Sequence, residues 1–130
     1  MFDKLKEWAI NYVKNRDLLD KKIVSINDEE SGFLVEYKDK THRYIVEPEL
    51  NDLSKLSDEH QTYVIVSGMK NIDFVVKHWK ELIKYEKLSI IFVDLGLNKR
   101  WILNPYTHNK VCDDKSLKNG LVSLYNSLRE

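Results

Sequence analysis

Cysteine is nearly absent from this chain. Its 130 residues contain one, Cys112, so no internal disulfide can form and no CxxC pair exists to hold zinc, a usage that fits a reducing compartment. Proline and glycine are also scarce, at two and four, which excludes collagen-like, low-complexity and repeat-tract proteins. No charge of one sign prevails: 21 Lys+Arg balance 21 Asp+Glu, so no bulk field draws the molecule to nucleic acid or to an anionic membrane. Long hydrophobic runs are missing. The longest, residues 90–93 with Leu88 just before, falls far short of the roughly 20 apolar residues of a membrane span. Charges recur through residues 3–7, leaving no apolar stretch for a secretory leader. These absences predict a cytoplasmic protein with no membrane partner.

What is present is a 42% hydrophobic, 32% charged composition, enough for one globular α/β domain spanning residues 1–130. Leu5, Trp8, Ala9, Tyr12, Val13 and Leu19 recur at helical spacing, so residues 3–19 read as an amphipathic helix. Strands follow from Ile23, over 33–38 and over 43–47, separated by polar turns at 27–32 and 39–41; they form an antiparallel meander that Pro48 ends. Residues 49–60 read as a polar link with a helical turn at 52–56. Then come a β-branched strand at 63–66, a helix capped by Asn71, and a nearly continuous apolar strand at 88–95. Strand, helix, strand is a crossover unit that places its two strands parallel. A short strand at 100–104 stops at Pro105. A last helix starts near Asp113 or Asp114 and buries Leu117, Leu121, Leu124, Tyr125 and Leu128. The expected architecture is a single mixed β-sheet, an antiparallel meander plus one βαβ crossover, flanked by three helices.

In element order this chain resembles the restriction-endonuclease-like nucleases, a family marked by an Asp followed by Glu-x-Lys. The resemblance covers most of the chain and is one of topology. It implies a Glu-x-Lys on the strand that leads into the crossover helix, where the carboxylate joins the Asp on a metal and the Lys polarises the attacking water. The equivalent stretch here is Val64-Ile65-Val66-Ser67-Gly68, which has neither residue. The resemblance therefore implies a degenerate site, with no catalytic set, no metal and no cofactor.

A Glu-x-Lys does occur at Glu36-Tyr37-Lys38, with Asp28 eight residues earlier. Two readings are open for it: an atypical metal-dependent nuclease site, or the polar side of a half-buried hairpin strand. Ligands of open α/β sheets favour the crevice beyond the carboxyl ends of parallel strands, which here holds Ser67, Lys70, Asn71 and Asp94. Residues 104–110 form the most chemically mixed segment, with Asn104, Tyr106 and His108 as candidate loop residues and Cys112 close by. His42, His60, His78 and His108 show no ligand spacing, so no metal is expected. Charge is uneven along the chain: residues 1–60 carry 10 Lys+Arg and 14 Asp+Glu, whereas 61–130 carry 11 and 7. Lys77, Lys80, Lys84 and Lys87 recur along the crossover helix as a candidate phosphate-contacting stripe, the alternative being a solvated face. The functional expectation is a non-catalytic nuclease-like domain that binds a macromolecular partner, nucleic acid or protein. Alternatives are the Asp28/Glu36/Lys38 nuclease, a hydrolase at Ser67 and Asp94, and a self-associating module.

Overall fold

The computed structural model of the protein describes residues 1–110 and 116–127. Cys112, Asp113, Asp114 and Leu128 lie outside the described residues. Helix α1 (Phe2–Arg16) precedes strands β1 (Ile23–Glu29), β2 (Gly32–Tyr37), β3 (Thr41–Val46) and β4 (Gln61–Val66). Helices α2 (Met69–Lys77) and α3 (Trp79–Leu82) lead to strands β5 (Leu88–Asp94) and β6 (Lys99–Leu103), then to helices α4 (Pro105–Asn109) and α5 (Leu117–Ser127). The result is an α/β fold with one six-stranded mixed sheet, ordered β1-β2-β3-β4-β5-β6. The β1-β2-β3 meander is antiparallel, β3-β4 and β4-β5 are parallel, and β6 runs antiparallel to β5. No described helix is long and apolar enough to cross a membrane.

Alternation along the strands builds two cores, one on each face of the sheet. Phe33, Val35, Tyr44, Val46, Val64, Ile91 and Val93 pack under Leu5, Ala9 and Val13 of α1. The other face sends Ile45, Tyr63, Ile65, Ile90, Phe92, Trp101 and Leu103 against α2, α3 and α5. Each fully buried aliphatic or aromatic side chain here contributes about 1.5–3 kcal/mol. Trp101 lies flat on Phe92, with ring centroids 3.8 Å apart. At the start of β2 the backbone of β3 comes so close that a Cβ on Gly32 would stand 1.9 Å from the Tyr44 carbonyl oxygen, a space only glycine fits.

Four expectations need correction. The helix count is five rather than three among the described residues, because the crossover helix breaks at His78 and residues 105–109 coil into α4. Pro105 causes the second difference: it occupies the first turn of α4, where its missing N–H is no loss. The first helix stops at Arg16, and Leu19, expected on its apolar face, is 96% exposed. Asn71 is not the cap of the crossover helix. Gly68 takes that place, and Asn71 is buried inside the first turn.

Candidate functional site

The crevice expected at the carboxyl ends of β4 and β5 is filled by its own residues. The Asn71 amide donates to the carbonyls of Pro48 and Val66, at 2.9 and 2.7 Å, and accepts from the Leu50 N–H at 2.8 Å. It thus ties the long β3-β4 connection to the crossover unit. The Ser67 hydroxyl accepts from the Trp101 indole at 3.2 Å, and Asp94 accepts from the Leu97 N–H at 3.0 Å, where it turns the chain from β5 to β6. Lys70 stands exposed 3.9 Å from Glu49. Asn71, Ser67 and Asp94 each have a hydrogen-bond partner within the fold, and Lys70 faces Glu49.

The other sequence candidates are separated as well. Asp28 pairs in register with Phe33, so it points to the α1 face, where Lys6 holds it. Glu36 lies three positions along β2 from Phe33, points to the opposite face and accepts from the Ser25 hydroxyl at 2.9 Å. Lys38 lies past the end of the strand. The three do not meet, and no cluster among the described residues is placed to hold a metal ion. In α4, Asn104 is the N-cap residue without a side-chain cap, and Tyr106 carries the Lys110 ammonium 4.3 Å from its ring centre. His108 sets its ring edge-on to Trp79 at 5.9 Å, while Asn109 accepts from the Trp79 indole at 3.1 Å; α4 therefore brackets a core tryptophan. Lys77, Lys80, Lys84 and Lys87 are all exposed: Lys77 ends α2, Lys80 lies in α3, and Lys84 and Lys87 follow its end at Leu82. Lys84 is also paired with Glu81 at 3.2 Å.

A different set of residues does converge, where α1 ends and leaves the sheet uncovered. On the α1 face, β3 runs Val46, Tyr44, His42; β4 runs Val66, Val64, Thr62; β5 runs Val93, Ile91, Ser89. The mostly apolar alternation turns polar toward this end of all three strands: Thr62 pairs with Ser89, and His42 lies one inward position beyond Tyr44, the residue paired with Thr62. The His42 Nε2 and Thr62 hydroxyl are 2.7 Å apart, and the Thr62 and Ser89 hydroxyls are also 2.7 Å apart. Thr62, 2% exposed, is thereby satisfied. The His60 ring lies 6.0 Å from that of His42. A cavity of about 290 Å³ opens between this row and the end of α1, lined among others by Arg16, Lys22, Tyr37, Lys40, His42 and Tyr44.

Burial, with His60, Lys40 and Arg16 nearby, lowers the His42 pKa to about 4, so its ring is neutral at neutral pH. Burial raises Tyr37 and keeps the Tyr44 hydroxyl protonated. The row thus offers neutral donors and acceptors beside a cavity whose wall carries three cations, Arg16, Lys22 and Lys40, and three carboxylates, Asp17, Asp20 and Asp39. Among the described residues no carboxylate bonds to His42, and a ring with so low a pKa is a weak base, so the arrangement is suited to holding a ligand rather than to activating a nucleophile.

Beside the cavity, Trp8 stacks on Tyr12 with centroids 5.2 Å apart, and its indole donates to Asn98 at 2.9 Å. Two guanidiniums lie over the Tyr12 ring, Arg100 at 4.7 Å and Arg16 at 5.5 Å. Among the described residues neither arginine is ion-paired. Sequence reading placed Trp8 and Tyr12 in a core-facing stripe and did not join them to Arg100, 88 positions beyond Tyr12. The polar end of three adjacent apolar strands was the available signal. Comparison with protein-family models, with curated proteins and with solved structures returns no match for this chain.

Proposed function

We propose that the protein is a cytoplasmic, non-catalytic domain of the restriction-endonuclease-like order, and that it binds single-stranded nucleic acid across the α1 face. The observation that carries this reading is the pair of guanidiniums, Arg16 and Arg100, gathered on the Tyr12 ring, with Arg16 also donating to the Tyr12 hydroxyl at 3.4 Å. A guanidinium without a carboxylate partner is free to take a phosphate, and stacking on one aromatic ring fixes both forks in advance of binding. Neighbouring aromatic and imidazole rings add the stacking surfaces that sequence-tolerant single-strand binders use. The absence of a carboxylate and lysine on the strand entering the crossover supports a binding role over cleavage.

Fluorescence anisotropy with a labelled single-stranded oligonucleotide tests the proposal. Binding at low salt is expected, and it is expected to weaken strongly in the Arg16→Gln/Arg100→Gln variant. Changing Lys77, Lys80, Lys84 and Lys87 to Gln, on the opposite face, is expected to leave affinity nearly unchanged. The reverse pattern would move the interface to the crossover helix.

A further inference from the structure

We propose that the cavity under the C-terminal end of α1 is a terminal-phosphate pocket, which takes the phosphorylated end of a nucleic acid strand. The inference rests on the strand-binding reading above and names the part of the strand that this cavity would receive.

Size comes first. At about 290 Å³ the space matches the smallest ligand pockets, about 300 Å³, and has room for a single nucleotide rather than a duplex. Position comes next. Arg16 belongs both to the cavity wall and to the arginine pair on Tyr12, so a strand lying along Arg100 and Arg16 leads into it. Asp17, Asp20 and Lys22, from the segment after α1, and Asp39 and Lys40, from the β2-β3 turn, also line the cavity and close it off.

Charge then separates an end from an internal phosphodiester. A phosphomonoester carries about −1.5 to −2 at neutral pH, against −1 for a diester, and three cations, Arg16, Lys22 and Lys40, line the space. Of the three aspartates in the wall, Asp17 is occupied: its oxygens accept the backbone N–H groups of Lys22 and Ile23 at 2.8 and 3.0 Å. Asp20 and Asp39 are exposed, as are the three cations, and among the described residues no ion pair joins these acids to those cations. Lys40 and Arg16 are among the neighbours that act on His42. Tyr37 and His42 add neutral hydrogen-bonding groups and ring surface for the terminal sugar and base.

The test uses one single-stranded oligonucleotide in three forms: 5′-phosphorylated, 3′-phosphorylated and hydroxyl-ended. One phosphorylated form is expected to bind about tenfold more tightly than the hydroxyl-ended form. The Lys22→Gln/Lys40→Gln variant, with both changes at exposed positions, is expected to erase that difference while keeping the hydroxyl-ended affinity and the thermal melt of the wild type. Equal affinity for all three forms would overturn the pocket and leave strand binding standing, as would a terminal preference that persists in the variant. If none of the three binds, the strand-binding reading fails. The pocket is then decided by a nucleoside monophosphate: a rise in melting temperature that the variant abolishes would uphold it, and no rise would overturn it.

Discussion

Replacing Asn71 by Ala should cost more than any surface change in this protein, because its side chain is a junction between two segments. Three hydrogen bonds disappear, those to Leu50 N–H and to the Pro48 and Val66 carbonyls. At about 0.5–1.5 kcal/mol each, with a further penalty for leaving the buried Leu50 amide unpaired, the expected loss is about 3–4 kcal/mol. For a chain of this length that lowers the melting temperature by roughly 10 °C. Urea unfolding followed by far-UV circular dichroism measures the loss directly, and an unchanged slope would confirm that the native state alone is affected. A loss below about 1 kcal/mol would refute the argument that this amide anchors the β3-β4 connection. Asn71→Asp separates hydrogen bonding from shape. A carboxylate at this buried position faces two carbonyl oxygens, so the folded state raises its pKa above the unfolded value of about 3.9. The variant should therefore be most stable below that unfolded value, where the protonated acid can donate, and lose stability as pH rises through the folded pKa. Stability that instead increased with pH over that range would contradict the assigned amide orientation.

Other outcomes test separate parts of the fold. Among the described residues the buried Tyr63 hydroxyl has no hydrogen-bond partner, so Tyr63→Phe should leave stability unchanged or raise it by about 1 kcal/mol; a clear fall in melting temperature would reveal a partner for that oxygen. His42 has a folded pKa of about 4 against an ordinary 6.5, so the neutral ring favours the native state above pH 6.5 and this contribution is lost as pH falls toward 4. It amounts to about 2–3 kcal/mol, and His42→Gln should flatten the acid limb of the stability profile over that interval; an unaltered limb would place the sensitivity elsewhere. With Mg²⁺ or Mn²⁺ the purified protein should not cut single- or double-stranded DNA above background. Cleavage abolished by Glu36→Ala and by Lys38→Ala, with the fold intact, would restore those residues to a catalytic role.

The strands and the first helix were legible because their signals are local. Phe33, Val35 and Tyr37 recur at every second position and form β2, and the spacing of Leu5, Ala9 and Val13 gives the buried stripe of α1. Asn71 misled because Asn is a common cap, whereas what decided its place was the approach of Pro48 and Leu50 from a connection far away in sequence. The Asn104-Pro105 pair signals a turn and equally the first turn of a helix, and packing against Trp79 favours the latter. The row of His42, Thr62 and Ser89 was present in the sequence as one polar inward position in each of three strands. It becomes visible only when the parallel register sets Thr62 beside Ser89 and the His42 ring reaches Thr62 diagonally from β3.

The salt dependence of single-strand binding tests the central claim most directly. Each phosphate neutralised on a single strand contributes about −0.7 to the slope of log K against log salt, so removing Arg16 and Arg100 together should flatten the slope by about 1.4. The claim predicts binding by the wild type at low salt, a steep slope, and that flattening in Arg16→Gln/Arg100→Gln. No binding at low salt, or a slope that the two substitutions leave unchanged, would contradict it.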